Sequence, residues 1–382
     1  MVYLDNAATS WPKPPEVIQA VSHAMECAGG NPGRSGHRLS IDAGRIVLGV
    51  REKVAAFFCV DDPLRIIFTV NATAALNLAI QGILQSGDRA LTTSMEHNSV
   101  MRPLRRLSET GIRLEVIPSR ADGTCDLALW SRALEQPARL VVVSHASNVA
   151  GTLAPMAELA KLAHRAGALC LVDAAQTAGV VPIDMKKAGV DLLAFAGHKG
   201  TLGPGGTGGL VVNDDADHHA IRPLLFGGTG SLSDKEEQPD FLPDKFESGT
   251  LNVPGLAGLG AGLDWINSRG VEAVREQEKT LTAALLEGLS VMRGVKVFGC
   301  LDPEKCTAVV SFAAANKSVS ELGSRLDEEH GVLCRVGLHC APAAHRTIGS
   351  FPQGTVRLAP GHFTTLGEIK AALKAIEAVL TS

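Results

Sequence analysis

The feature that most constrains the fold is a series of short apolar runs that alternate with helical segments through the first two-thirds of the chain. Runs such as Leu140–Val143 and Leu169–Val172 are continuously apolar and show no alternation with polar residues. Strands of this kind are buried on both faces of a largely parallel sheet, which the intervening helices cover. The sequence therefore predicts an α/β fold with a mostly parallel central sheet, in which ligands bind at the carboxyl ends of the strands.

The pattern changes near residue 253, where a glycine-rich apolar segment leads into a charged helix and then into less regularly ordered strands and helices. We predict a large domain of residues 15–252 and a smaller α+β domain formed by residues 1–14 and 253–382. A chain of 382 residues is long enough for two such domains, each with its own core.

Two charged side chains follow apolar runs of the large domain. Asp173 ends one run, and Lys199 comes shortly after the next, Leu192–Phe195. A strand-end carboxylate can keep a pyridine nitrogen protonated, and a strand-end lysine can hold an aldehyde as a Schiff base, so the pair suits pyridoxal 5'-phosphate. A buried lysine near other cations also becomes a usable base near neutral pH. The alternative is an ordinary core carboxylate and a solvated loop lysine.

Other polar residues follow neighbouring runs. Asn71-Ala72-Thr73 stands between a strand and a helix, where free N–H groups favour an anion such as a phosphate, although any helix begins this way. His97 follows a strand end and could stack on a pyridine ring or move protons, or it could simply cap a helix. Asn148 is a candidate amide donor, and Gln176 can reach the same ring as Asp173.

The glycine-rich segment Gly203–Gly208 matches the spacing of a dinucleotide-binding loop. That reading requires a helix after the loop, whereas the apolar run Leu210–Val212 follows here. We therefore interpret the segment as a tight loop that leads the chain away from Lys199.

The small domain contributes a second group of candidates. Cys340 lies just past a strand, next to His339 and close in sequence to Arg335, an electropositive setting that favours a thiolate. Metal binding by His339, Cys340 and His345 is an alternative, but we expect no metal. Arg357 lies on a strand and suits bidentate binding of a carboxylate, with a structural salt bridge as the alternative.

Composition narrows the class of protein. Lys and Arg number 36 against 40 Asp and Glu, and they form no long cluster, so we expect no nucleic-acid partner. No apolar stretch reaches the ~20 residues that span a bilayer, so we expect no membrane partner. The eight cysteines include no CxxC pair, which argues against a disulfide framework or a zinc finger. The N-terminus lacks the pattern of a signal peptide, and we expect a cytoplasmic enzyme.

Taken together, these motifs resemble one family over nearly the whole chain. The chain is similar to the pyridoxal-phosphate proteins of fold type I in the aminotransferase class-V family, and within it to the group II cysteine desulfurases and selenocysteine lyases. The resemblance is carried by eight segments: Tyr3–Ala8, Glu96-His97, Ser147-Asn148, Asp173–Gln176, Gly197–Lys199, Phe246–Thr250, His339–Ala341 and Val356-Arg357.

The resemblance implies roles in binding the cofactor. Lys199 would form the Schiff base, Asp173 would pair with the pyridine nitrogen, and Gln176 would bond the ring hydroxyl. His97 would stack on the ring. The phosphate would be held by residues from two subunits of a homodimer with a shared active site: Ala72, Thr73 and His198 from one, and Thr250 from the other.

The resemblance also implies a substrate and a reaction. Arg357 and Asn148 would hold the carboxylate of L-cysteine or L-selenocysteine, with Arg335 and His37 near the entrance. Cys340 would accept sulfur as a persulfide while L-cysteine becomes L-alanine, and a sulfur-acceptor protein would take it onward, as in iron–sulfur cluster assembly. The alternatives are a selenocysteine lyase, an aminotransferase or epimerase on the same fold, or a sulfur-relay protein that mainly docks partners.

Three positions depart from the family pattern. Ala196 and Ala72 stand where a hydroxyl residue is common, and each loss costs on the order of 1 kcal/mol of hydrogen bonding to the cofactor. Leu338 replaces a histidine that often precedes His-Cys. The short segment between Arg335 and Cys340 predicts a short, ordered cysteine loop, as in group II.

Overall fold

A computed structural model describes residues 1–382. Its strands are β1 Val2–Tyr3, β2 Ile66–Thr69, β3 Arg89–Thr93, β4 Arg113–Ile117, β5 Leu140–Ser144, β6 Leu169–Asp173, β7 Leu192–Ala196, β8 Gly208–Val212, β9 Val295–Phe298, β10 Val310–Ala314, β11 Val332–Leu333, β12 Arg335–Gly337 and β13 Thr355–Leu358. Its α-helices are α1 Pro15–Cys27, α2 Arg38–Phe58, α3 Ala72–Ile83, α4 Asn98–Ser108, α5 Leu127–Ala133, α6 Met156–Arg165, α7 Met185–Ala188, α8 Val253–Arg269, α9 Val271–Ser290, α10 Val319–His330, α11 Pro342–Ile348 and α12 Leu366–Thr381.

A seven-stranded sheet with the order β2-β8-β7-β6-β5-β3-β4 forms the centre of the large domain. All neighbours are parallel except β8, which runs antiparallel to both β7 and β2. The exception has a local cause: residues 197–207 connect β7 to β8 without a helix, and a parallel return needs a crossover of a dozen or more residues. The predicted α/β fold with a mostly parallel sheet is confirmed.

The central strands are buried on both faces, as their unbroken apolar runs predict. Along β5, Val141 and Val143 belong to a core cluster on one face, whereas Leu140 and Val142 belong to a cluster on the other. Because side chains alternate between the faces of a strand, both faces of this sheet need apolar residues. Both faces of the sheet are therefore covered, and polar side chains that could form a site are expected mainly at its edges and at the ends of its strands.

The small domain is built on a four-stranded antiparallel sheet with the order β12-β13-β10-β9. Apolar residues of α9, α10 and α12 form its core, and Leu4 joins them because β1 pairs with β11. Helix α8 packs differently, since Leu256 and Leu259 belong to the core of the large sheet. The domain boundary at residue 253 stays a prediction. Helix α8, which begins at this boundary, packs with the large domain. No helix in the structure is long and apolar enough to span a membrane.

Five parallel strands bring the predicted motifs to one edge of the large sheet. Strands β2, β3, β5, β6 and β7 all end there, and each is followed by a segment that the sequence singled out. The segments are Asn71–Thr73, Glu96-His97, Ser147-Asn148, Asp173–Gln176 and Gly197–Lys199. Topology thus assembles one site from residues that are up to about 130 positions apart in the chain.

Candidate active site

A cleft of about 490 Å³ lies at this edge of the sheet. Its walls include eight of the predicted site residues: Ala72, Thr73, His97, Asn148, Asp173, Gln176, His198 and Lys199. Asn71, Ser99, Ser144, Ala146, Ala175 and Ala196 complete the lining.

Lys199 and Asp173 line the same cleft, and the charge of each changes the pKa of the other. Burial lowers the pKa of Lys199 to about 8, with Asp173 opposing this effect and Arg357 adding to it. Burial raises the pKa of the Asp173 carboxyl, whereas the N–H of Ala175, which donates to it at 2.9 Å, and the charge of Lys199 lower it. The amine is therefore a usable nucleophile and base near neutral pH.

The N-terminal segment fastens the turn that carries Lys199. Ser10 Oγ donates to the carbonyl of Lys199 at 2.9 Å, and Lys13 Nζ donates to the carbonyl of His198 at 2.9 Å and to Ser10 Oγ at 2.7 Å. Burial lowers the pKa of Lys13 to about 8. Lys13 was not predicted as a site residue, because a lysine between two prolines carries no pattern that points to a site.

His97 is the N-cap residue of α4. Its Nδ1 accepts the N–H of Ser99 at 3.0 Å, so the proton of the neutral ring lies on Nε2. Burial lowers the pKa of His97 to about 4, and the positive charges of Lys199 and Arg335 lower it further. The ring at the cleft wall is therefore neutral and can stack or donate one hydrogen bond.

The start of α3 presents free N–H groups at the wall of the cleft. Asn71 caps the helix by accepting the N–H of Ala74 at 2.9 Å, which leaves the first N–H groups, those of Ala72 and Thr73, without intrahelical partners. Gly208 permits this arrangement, since an added Cβ would lie 2.8 Å from the backbone carbon of Asn71. His198 lies across the cleft, and burial lowers its pKa to about 4.

Glu96 has a buried carboxyl group that is hydrogen-bonded to residues at the ends of strands β3 and β5. It is fully buried and accepts the hydroxyl groups of Thr93 and Ser144, each at 2.6 Å, and the N–H of Ser144 at 3.0 Å. Burial raises the pKa of Glu96 to about 7, and the negative charge of Asp173 adds to the effect. The sequence indicated this residue only as part of the Glu96-His97 segment, because its partners come from β3 and β5.

The cysteine loop reaches the cleft from the small domain. Cys340 is exposed, and Arg335 Nη2 lies 3.7 Å from its Sγ. The loop is fastened to the large domain at two points: Asn98 N–H donates to the carbonyl of Cys340 at 2.9 Å, and Asn148 Nδ2 donates to that of His339 at 2.7 Å. Because Asn98 directly follows His97, these bonds place the backbone of the cysteine loop next to the wall of the cleft.

Arg357 forms the salt bridge that the sequence left as an alternative. Its Nη2 lies 2.6 Å from Asp5 Oδ1, and its Nη1 donates to the carbonyl of Asn148 at 3.1 Å. The side chain is 1% exposed, and its Nε has no partner. Its proposed contact with a substrate carboxylate would therefore use the free Nε or displace Asp5.

Five predicted residues do not line the cleft of a single chain: Cys340, Arg335 and Arg357, described above, and Thr250 and His37. Thr250 is exposed, and its Oγ1 accepts Asn31 Nδ2 at 3.1 Å. His37 is an exposed N-cap residue of α2, whose Nδ1 accepts the N–H of Ser40 at 3.3 Å. One chain therefore brings neither Thr250 nor His37 to Lys199.

The donor set of the cleft fits pyridoxal 5'-phosphate. The start of α3 and His198 offer hydrogen-bond donors to a phosphate, and Asp173 offers a buried carboxylate to a ring nitrogen. Lys199 offers an amine of lowered pKa to an aldehyde. These three requirements are met in one cleft by residues from different strand ends.

The chain is similar to known proteins of one family both in sequence and in structure. The family model described as "Aminotransferase class-V" matches residues 2–371. A probable cysteine desulfurase of Methanothermobacter thermautotrophicus is 36% identical over 99% of this chain and 94% of its own length. The structure is similar to that of the apo cysteine desulfurase of Thermococcus onnurineus NA1, with a TM-score of 0.92, 33% identity, and coverage of 100% of this chain and 94% of that one. For the cysteine desulfurase CsdA of Escherichia coli, in its S-sulfonic acid form, the TM-score is 0.88 at 28% identity, covering 99% of this chain and 94% of the other. The match over nearly the whole length, together with a cleft built for the expected cofactor, leads to one conclusion: the chain belongs to the aminotransferase class-V family.

Proposed function

We propose that this protein is a cysteine desulfurase that uses pyridoxal 5'-phosphate. The observation that carries the proposal is the meeting of two groups from different domains. The large domain supplies a cleft with Lys199 and Asp173, and the small domain supplies an exposed thiol, Cys340, beside Arg335. A transaminase or an epimerase would need the first group but has no use for the second.

We propose the following placement of the cofactor. Its phosphate would bind the N–H groups at the start of α3, Thr73 and His198, and its ring would lie between His97 and the Asp173 side of the cleft, with Gln176 near the ring hydroxyl. When bound, the cofactor would supply an aldehyde for the amine and a ring that accepts electrons. The carboxylate at 173 would keep the ring nitrogen protonated.

Lys199 and His97 would handle the protons of the reaction. With a pKa of about 8, Lys199 is partly neutral at physiological pH and can remove the Cα proton of the substrate once it is freed from the aldehyde. The neutral His97 ring can donate from Nε2 but has little tendency to take up a second proton. Asn148 and Arg357 would hold the substrate carboxylate, and Arg335 and His37 would lie near the entrance.

Cys340 would carry out the sulfur transfer. Its thiolate attacks the sulfur of L-cysteine, the new S–S bond forms, and the Cβ–S bond breaks. The electron pair of the broken bond remains with the three-carbon fragment, which takes up a proton and leaves as L-alanine, while the persulfide remains on Cys340. The reaction is balanced without an external oxidant or reductant.

Further parts of the proposal concern the assembly. We propose a homodimer in which Thr250 of one subunit completes the phosphate site of the other; its exposed position outside the cleft of its own chain supports this. The five-residue spacing from Arg335 to Cys340, and the docking of this loop on Asn98, support the group II type. A sulfur-acceptor protein, a role in iron–sulfur cluster assembly and a cytoplasmic location stay predictions.

The test compares turnover of L-cysteine and L-selenocysteine by the wild type and by Cys340→Ala, with Cys27→Ala as the matched control. Cys27 is likewise exposed, but it lies in α1. Sulfide and alanine formation from L-cysteine should be lost in Cys340→Ala and kept in Cys27→Ala, whereas selenocysteine turnover should survive in both because selenium can leave without a thiolate. Full activity of Cys340→Ala on L-cysteine would overturn the persulfide step. Turnover of L-selenocysteine alone by the wild type would identify a selenocysteine lyase instead.

A further inference from the structure

We propose that His339 is a positioning residue for Cys340, which acts through a buried hydrogen-bond chain and not as the base of the neighbouring thiol. The inference rests on the proposed function of Cys340 as the sulfur acceptor. The ring of His339 holds the turn in place, and Arg335 contacts the sulfur of Cys340.

The turn that presents Cys340 needs an anchor. His339 and Cys340 have φ values of 47° and 58°, so two successive residues with side chains adopt the left-handed conformation. For residues other than glycine, this conformation is sterically unfavourable and persists only where the surroundings enforce it. The left-handed pair lies directly before Ala341, the N-cap residue of α11.

The ring of His339 provides the anchor inside the small domain. It is 3% exposed, and its Nε2 lies 3.0 Å from Thr355 Oγ1 on β13. Thr355 Oγ1 lies 3.0 Å from Ser311 Oγ, which donates to the carbonyl of Val149 at 2.6 Å. All four groups are buried, so the chain connects the cysteine loop to the domain interface through the core.

The directions of these hydrogen bonds follow from the last acceptor. The carbonyl of Val149 can only accept, so the hydroxyl proton of Ser311 is used there, and Ser311 accepts from Thr355. Thr355 has then used its own proton and must accept from His339. The proton of the neutral ring therefore lies on Nε2, and the ring is fixed in one tautomer.

The same arrangement makes His339 a poor base. Burial lowers the pKa of His339 to about 2, and the charge of Arg357 adds to the effect. Its free nitrogen, Nδ1, is buried without a partner and belongs to a ring that lies 5.4 Å from the ring of His345, between ring centres. The thiol of Cys340 is instead exposed and contacts Arg335.

The test uses two pairs of variants in the holoenzyme. His339→Leu removes the donor, whereas His339→Gln keeps a neutral N–H at a similar reach. Thr355→Val removes the acceptor with little change in shape, whereas Thr355→Ser keeps the hydroxyl. The first readout is the rate of Cys340 alkylation by iodoacetamide, followed by mass spectrometry of its peptide, with the exposed Cys27 and Cys59 as internal standards. The second is kcat for L-cysteine, and the cofactor absorbance verifies that each variant is folded and loaded.

Positioning predicts the same change in His339→Leu and Thr355→Val. The rate of Cys340 alkylation relative to Cys27 should fall about tenfold, because the sulfur leaves its contact with the guanidinium group of Arg335. The double variant should be no worse than either single one. His339→Gln and Thr355→Ser should restore both readouts to within about threefold.

Two results would overturn the inference. One is a His339→Gln variant as impaired as His339→Leu beside a normal Thr355→Val, which would make the ring itself the base. The other is an unchanged rate of Cys340 alkylation in both loss variants. If His339→Leu does not fold, Thr355→Val decides. The alkylation rate does not depend on desulfurase activity, so a failure of the proposed function, seen as full activity of Cys340→Ala, is distinguishable from a failure of this inference.

Discussion

Replacement of the buried carboxyl group by an amide in Glu96→Gln should make the protein more resistant to rising pH. Burial raises the pKa of Glu96 to about 7, compared with 4.5 in an unfolded chain. The neutral acid therefore stabilises the folded state, a contribution that is fully present below pH 4.5 and is lost as the pH rises through 7. An amide cannot ionise, so the variant avoids this loss.

The two pKa values determine the size of the effect. Linkage between them gives a loss of about 2.5 kcal/mol in the wild type from pH 5 to pH 8. For a domain of this size, that corresponds to a fall in Tm of roughly 5 °C relative to the variant. The amide oxygen can still accept the N–H of Ser144, and the hydroxyl groups of Thr93 and Ser144 can rotate to suit the NH₂ group.

The assay is thermal unfolding of the wild type, Glu96→Gln and the control Glu109→Gln at several pH values from 5 to 8. Glu109 is an exposed partner of Arg106, so its variant should follow the wild type at every pH. Parallel Tm curves for the wild type and Glu96→Gln would refute the reasoning. They would mean that the three donors around Glu96 keep it ionised despite its burial.

Three further predictions concern the cleft and its supports. Asp5→Asn should lower the stability by roughly 3 kcal/mol, because it leaves the buried Arg357 without its ion partner; urea unfolding measures this, and a loss below about 1 kcal/mol would contradict it. Asn71→Ala should cost about 1 kcal/mol of stability through loss of the α3 cap and should weaken binding of inorganic phosphate, seen by calorimetry; unchanged phosphate affinity would show that the helix start is not the anion site. Ala196→Ser should slow cofactor loss on dialysis about fivefold by adding a hydroxyl to the cleft wall, and equal loss in both proteins would show that the hydroxyl finds no partner.

Local patterns predicted the elements on which the site is built. The β5 run Leu140–Val143 is apolar on both faces, so it indicated a strand of a parallel sheet, and the structure confirms this. The parallel sheet then implied that residues following such strands share an edge, and Asp173, Lys199 and His97 do line one cleft. Fold and cleft were predictable because they depend on the periodicity of short segments and on a general rule of sheet topology.

Other parts of the site depend on how the two domains pack, which no local pattern encodes. The partner of Arg357 is Asp5, at the opposite end of the chain, so the sequence could offer a salt bridge only as an alternative. The pKa of Glu96 is raised because the fold encloses it between strands β3 and β5, and burial cannot be read from its neighbours in the sequence.

The sequence by itself determined the chemistry of this protein, since the residue types at the strand ends define an amine, a carboxylate and a thiol. Only the tertiary structure decided the pKa of the amine and the position of the thiol relative to the cleft. The pKa of Lys199 falls because the folded chain removes it from water, and the loop that carries Cys340 lies beside the cleft because Asn98 and Asn148 hold its backbone. Desolvation and long-range hydrogen bonds are properties of the packed molecule, and they arise only when distant segments meet.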